Sequence, residues 1–235
     1  MSEPTSLRAT GSLRHVVRKW LTGDKDYMTI AWNVPGLPFD LSPSSEEAWS
    51  IDETSATVTA WATPHSDIFI DPGAGTQLNA ETLLNGATLL GVPPAGDFQF
   101  SARVTVDFAS TFDAGVLLLW LDDRHWGKLC FELSPQAEPM IVSVVTREVS
   151  DDANAFVVDG PAAWLRVSRL GPAFAYHASL DGKAWQMIRF FSLEGISTKA
   201  TLGFEAQSPT GEGCRVSFDD LNFTSQRLGD LRDGS

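Results

Sequence analysis

Along residues 113–132, DAGVLLLWLDDRHWGKLCFE, apolar and polar side chains fall into two short runs separated by Asp122-Asp123-Arg124. The pattern predicts two β-strands joined by a tight acidic turn. Successive side chains of a strand point to opposite faces. Trp126, Lys128, Cys130 and Glu132 therefore share one face, and Leu129 and Phe131 point to the other. One side of this strand is core. The other sets an aromatic plate beside an ammonium and a carboxylate, a combination suited to a polar, ring-shaped ligand such as a sugar.

Similar β-rich segments bounded by Gly, Pro, Asn or Asp recur from about residue 28. They are Met28–Trp32, Thr57–Thr63, Asp67–Ile70, Phe98–Phe108, Gly115–Leu121 and Trp126–Leu133, then Ile141–Arg147, Trp164–Leu170, Ala173–Ser179, Trp185–Phe191, Thr201–Gln207 and Cys214–Phe223. Asp181-Gly182 marks a hairpin turn, since Asp-Gly tolerates positive φ, and Pro209–Gly213 reads as another. Asp71–Gly75 and Leu89–Gly96 read as loops. Many short strands with almost no helix predict an all-β sandwich in one domain, residues 28–223. The clear helical pattern is Leu13, Val16, Val17, Trp20 and Leu21, within a basic arm over 1–27. It reads as a short helix packed on the body or as a helix for a membrane surface or partner. Residues 224–235 read as a flexible tail.

Charge narrows the partners. The formal net charge is −13, and residues 1–20 carry Arg8, Arg14, Arg18 and Lys19 against Glu3, which leaves the remainder near −16. Such a body repels nucleic acid. No segment approaches the roughly 20 apolar residues that span a bilayer, and the start MSEPTSLRATG lacks the apolar run of a secretory signal. Cys130 and Cys214 fall on strands with opposite orientation, which predicts buried reduced thiols and a cytoplasmic location.

The order of motifs carries a resemblance. It runs Ser66-Asp67-Ile68-Phe69, Gly96-Asp97-Phe98, Phe112-Asp113-Ala114-Gly115, Trp126-Gly127-Lys128-Leu129 through Glu132, and Val142–Arg147 with Ser150-Asp151-Asp152. Trp164–Arg169, Ser179-Leu180-Asp181-Gly182 with Trp185 and Arg189, and Gln207-Ser208-Pro209 complete it. Over about residues 55–223 the chain resembles a domain-of-unknown-function family of concanavalin A-like sandwiches that includes the fungal regulation-of-enolase protein. It also resembles the lectin-like C-terminal module of some β-xylosidases. The resemblance implies a jelly roll of two antiparallel sheets with a concave face often used to hold carbohydrate.

Strand parity proposes who lines that face. Trp126, Lys128 and Glu132 come from one strand, Trp164 and Arg166 from another, and Glu205 and Gln207 from a third. Arg147, Trp185 and Arg189 are candidates for the rim, and His177 and Ser179 flank the region. The expected ligand is a carbohydrate or a small polar metabolite, with tryptophans stacking and the polar side chains taking hydroxyl or carboxylate groups. Cross-strand ion pairs on a solvated sheet, worth about 0–1 kcal/mol, are the competing reading of the same residues.

Glycoside hydrolysis needs two carboxyl groups about 5–9 Å apart. The Glu-x-Asp-x-x-Glu strand that the resemblance implies for catalytic members of such sandwiches is absent, since Glu132 is followed by Leu133-Ser134-Pro135. Glu132 and Glu205 remain a candidate pair, with His177 as an auxiliary acid or base. The histidines have no ligand spacing for zinc. The acidic pairs Asp122-Asp123, Asp151-Asp152 and Asp219-Asp220 carry the oxygens a structural Ca²⁺ takes, or are solvated turns. No cofactor is expected, because phosphate-binding Gly motifs and the Gly-x-Ser-x-Gly elbow are absent. The rival functions are a glycoside hydrolase or lyase, and a protein-interaction module regulating a metabolic enzyme.

Overall fold

The computed structural model describes residues 30–73, 82–193 and 200–235, and the alternating segments form strands there except at Met28–Trp32, where the described part has only an isolated bridge from Trp32 to Leu41. The helix expected over 12–21 lies outside the described residues. In chain order the first strands are β1 (Ser42–Pro43), β2 (Trp49–Asp52), β3 (Thr57–Trp61), β4 (Thr63–Pro64), β5 (Ile68–Phe69), β6 (Leu83–Leu84) and β7 (Ala87–Gly91). The longer ones follow as β8 (Phe98–Val106), β9 (Ala114–Asp122), β10 (His125–Leu133), β11 (Pro139–Arg147) and β12 (Val149–Val157). Then come β13 (Ala162–Leu170), β14 (Ala173–Ser179), β15 (Gln186–Ser192), β16 (Thr201–Ser208) and β17 (Arg215–Thr224). Among the described residues no helix is long and apolar enough to cross a membrane.

Two large antiparallel sheets face each other in a β-sandwich. The first runs β1-β7-β16-β9-β10-β11-β12, with β4 alongside β16, and the second runs β15-β14-β13-β8-β17-β3-β2. Pairing is antiparallel apart from the two-residue parallel contact of β4 with β16. The core between the sheets follows from parity. Leu117, Leu119, Leu129, Phe131 and Phe204 point inward from the first sheet and meet Phe100, Val104, Val167 and Phe218 of the second. Phe204 joins the layers, with ring centroids 5.5 Å from Phe100 and 4.5 Å from Phe218. Burying each such ring contributes about 1.5–3 kcal/mol. The sheets approach closely at Gly115, where an added Cβ would lie 2.5 Å from Val104 and 2.6 Å from Val216.

Several local expectations need amending. Asp151-Asp152, read as a Ca²⁺-binding loop or a solvated turn, lies within the edge strand β12, held by pairing to β11 rather than by apolar side chains. The stretch over 89–96 is loop only from Val92 onward, since β7 reaches Gly91. Pro209–Gly213 is no hairpin, because β16 and β17 belong to different sheets and the turn arches between them. The Asp181-Gly182 turn does close a hairpin, with Gly182 at φ +71° and Asp181 Oδ1 accepting from the amides of Lys183 and Ala184. Residues 225–235 lie against the second sheet, with Leu228 and Gly234 buried.

Candidate functional site in a cleft on the first sheet

The outer face of the first sheet is built from rows of side chains that register fixes. One row runs Gly203, Leu118, Lys128, Val144, Asp152 across β16, β9, β10, β11 and β12. The next runs Glu205, Val116, Cys130, Val142, Asn154, and the one beyond begins Gln207, Ala114, Glu132, Met140. Small Ala114 and Val116 separate the polar side chains of β16 from those of β10. That gap lets Lys128 lean over β9 toward β16.

A strap crosses this face. Thr63-Pro64 pairs with Gln207-Ser208, and Ser66 bridges to Ser208. At the far side the Ile70 amide donates to Ser150 Oγ at 2.9 Å and the Ile70 carbonyl accepts from the Ser150 amide. Ile68 and Ile70 pack down on Val116, Leu118, Trp126 and Val144, so one half of the face becomes a second small core. The other half stays open as a cleft of about 790 Å³.

Lys128 sits at the junction of strap and cleft, buried with 2% of its surface exposed. Its ammonium donates to Asp67 Oδ1 of the strap at 2.7 Å and to Gln207 Oε1 at 2.6 Å, with Glu205 Oε1 at 3.8 Å. Burial alone lowers an ammonium pKa, but the charges of Asp67 and Glu205 outweigh it and hold Lys128 protonated. Gln207 is fixed from its other end, donating from Nε2 to the Phe112 carbonyl. Asp67 also accepts from the Ile68 amide and donates its own amide to Asn85.

Burial pushes the Glu132 carboxyl up to about 8; Lys128 opposes this and the carboxylates of Asp152, Asp67 and Glu205 reinforce it. Asp152 is likewise raised by burial. Glu132 and Asp152 line the cleft with Asn154 and His65, and Phe69 and Phe112 supply rings. Among the described residues no three His, Cys, Asp or Glu side chains converge as a metal site. Asp219 is held by Arg103, and Asp122 by His125.

The structure thus brings together Lys128, Glu132 and Gln207 of the residues expected at the site. Others it places elsewhere. Trp126 is fully buried, stacked on Trp120 at 6.4 Å under the strap, and offers no face to a ligand. Glu205 is sealed beneath Ile68 and Gly86, with neither oxygen exposed, so it does not open to the cleft as the partner of Glu132. Burial pushes its carboxyl up to about 8. Trp164, Arg166 and His177 lie on β13 and β14 of the second sheet, facing away from the first, and Trp185 stacks on Arg166 there. Arg147 of β11 donates to the Ser192 carbonyl of β15 and Arg189 of β15 to Asp151 of β12, so both tie the β11–β12 end of the first sheet to the edge strand β15 of the second. The expectation of one shared face fails because parity gives the face of a strand and not the sheet it joins. Parity alone missed Asp67, His65 and Phe69, which reach the site on the strap; Ser66-Asp67-Ile68-Phe69 had stood out only as a motif. Both cysteines are buried free thiols.

Comparison with known proteins agrees with this architecture. Residues 44–226 match the family described as "Protein of unknown function (DUF1349)". "Regulation of enolase protein 1" of Saccharomyces cerevisiae is 30% identical over 138 residues, 58% of this chain and 68% of the relative. A crystal structure of a functionally unknown protein from Saccharomyces cerevisiae superposes with a TM-score of 0.68 at 25% identity, covering 79% of this chain and 96% of that one. The xylan β-1,4-xylosidase of Bacillus halodurans C-125 gives 0.61 at 11% identity, over 77% of this chain but 35% of its own. The GH43 protein BlXynB of Bacillus licheniformis gives 0.62 at 12%, over 80% and 37%. The two bacterial likenesses are of fold alone.

Proposed function

We propose that this chain, which belongs to the DUF1349 family of proteins of unknown function, binds a carbohydrate or related polar metabolite in the cleft beside its strap. One observation carries the reading: a buried ammonium, Lys128, is held by Asp67 and Gln207 at the base of a cleft that also presents Glu132, Asp152 and Asn154. Carboxylates and amides accept from sugar hydroxyls, and Phe69 and Phe112 offer apolar faces to a ring. A fold shared with part of a xylan β-1,4-xylosidase supports the same reading. Binding requires no resident cofactor, and the buried free thiols fit a reducing cytoplasm.

The test is a thermal-shift screen of the full chain against neutral sugars and sugar acids, with and without Ca²⁺. A ligand that binds only the native state raises Tm by mass action. The expected hit disappears in Gln207→Ala. Absence of any hit in folded protein, or a hit indifferent to Gln207→Ala and Glu132→Gln, overturns the reading.

The raised Glu132 carboxyl favours a second reading, in which Glu132 is a general acid acting on a glycoside. Its carboxylate partner would be Asp152 or Asp67, which face the cleft, and not Glu205. Turnover of aryl glycosides that is lost in Glu132→Gln would establish it; none in a broad screen would remove it. The name of the Saccharomyces cerevisiae relative supports a third, regulation of a metabolic enzyme, for which a co-purifying enzyme partner is the discriminating observation.

A further inference from the structure

The outer face of the second sheet holds two arginines in the same setting, and only one is complete. Arg103 on β8 lies over the Trp164 ring at 5.7 Å and grips Asp219 side-on, Nε to Oδ1 at 2.6 Å and Nη2 to Oδ2 at 2.7 Å. Arg166 on the neighbouring β13 lies over the Trp185 ring at 4.2 Å and presents the same edge. There Nη2 donates to a single carbonyl, that of Gly234, at 2.6 Å, and Nε has no partner. Nη1 reaches Gln99 Oε1 at 3.3 Å. Among the described residues no carboxylate pairs with Arg166, although it is only 7% exposed.

Two neighbours share the deficit. His177, opposite Arg166 on β14, commits its Nε2–H to the Leu231 carbonyl at 2.9 Å, which leaves its buried Nδ1 as an unpartnered lone pair; the donor it can offer an anion is Nε2, freed when Leu231 moves away. Ser168 Oγ, two residues along β13, is also buried without a partner. A buried cation without a counterion is costly, and polar groups left unsatisfied in one place mark something missing. The bond donors and the internal comparison with Arg103 and Asp219 say what it is: a planar or tetrahedral oxyanion with two oxygens for Nε and Nη2.

We infer that Arg166, His177 and Ser168 form an oxyanion site for a carboxylate or phosphate group, and that residues 228–235 are its displaceable cover. The Gly234 carbonyl stands where one oxygen of the anion would go. The cover is weakly held. It closes on itself through Gly229 N to Ser235 O at 2.7 Å and Gly234 N to Asp230 O at 3.1 Å. To the sheet it is joined by the Leu231 and Gly234 carbonyls and by buried Leu228. Segments with so few apolar contacts open well below the global unfolding free energy. This site is on the opposite sheet from the cleft and stands or falls independently of it.

Amide hydrogen exchange on the full chain decides the matter, with inorganic phosphate and acetate added separately against chloride at equal ionic strength. Either anion should accelerate exchange at Gly229 and Gly234 as the cover lifts, and response to one alone assigns the site to phosphate or to carboxylate. Gly234→Val, whose side chain would collide with Arg166, Trp185 and His177, pre-opens the cover. It should lower the half-saturating anion concentration about tenfold, or about 1.4 kcal/mol. In Arg166→Gln exchange should be fast with or without anion. No anion dependence in the wild type, or one that survives Arg166→Gln, overturns the inference even if Gly234→Val does not fold.

Discussion

Lys128 on β10 and Asp67 on the strap, 61 residues apart in the chain, meet at 2.7 Å and so join the sheet to the segment that covers it. The same ammonium is the positive charge nearest the sealed carboxyl of Glu205. One side chain thereby holds the strap, orients Gln207 and compensates a buried acid.

Removing that charge should be severe. Lys128→Met leaves Glu205 and Asp67 without it, and breaking a buried pair from one side costs about 3–5 kcal/mol. Adding Asp67→Asn should recover a large part of the loss, since Glu205, held near 8, keeps its proton at neutral pH and leaves Asp67 as the charge that loses its partner. Urea unfolding of the single and double variants measures this; equal midpoints for the two would refute the coupling.

Stability should fall as pH rises from about 4.5 to about 8. Glu132 and Glu205, ordinarily at 4.5, are held near 8 in the folded protein. Across that window the folded state keeps protons the unfolded chain has released, so unfolding gains with every step up in pH. Glu132→Gln, which mimics the protonated acid, should match wild type at low pH and exceed it above 8. Tm recorded against pH for both proteins shows whether the slope flattens.

Gly115→Ala should cost about 1–3 kcal/mol, because its methyl would enter the space of Val104 and Val216 between the sheets. Trimming Val216 to Ala in the same chain should restore part of it. Thermal unfolding of the pair reports the effect.

Asp113 is wholly buried and accepts from the amides of Ala109 and Ser110 and from the Ser208 hydroxyl. It anchors Phe112, whose carbonyl positions Gln207 in the cleft. Asp113→Ala should therefore lower stability by about 3 kcal/mol, as donors lose their acceptor, and weaken ligand binding as well. A variant that loses stability with affinity intact would separate Asp113 from the site.

The sequence was most legible where one strand sufficed. Alternation through Trp126-Gly127-Lys128-Leu129-Cys130 assigned each side chain its face, and Glu205 and Gln207 likewise. It was mute on layer: Trp164 and Arg166 alternate just as well, yet β13 pairs with β8 and β14. Depth was hidden too. Trp126 and Glu205 point to the expected side and are buried there by Ile68 and Ile70, which arrive from a distant segment. Asp152 was hidden by composition, since an edge strand facing solvent needs no apolar stripe.

The strap has a kinetic consequence. Its far end closes on Ser150 across 80 residues, and its near end on Ser208 at the other side of the sheet. Neither anchor exists until β9 to β12 have zipped and β16 has added to them, and such long closures come late in folding. The open pocket is therefore the last feature the chain acquires. In a refolding experiment, secondary structure should mature before recognition does, and a pocket already competent in the earliest phase would contradict that order.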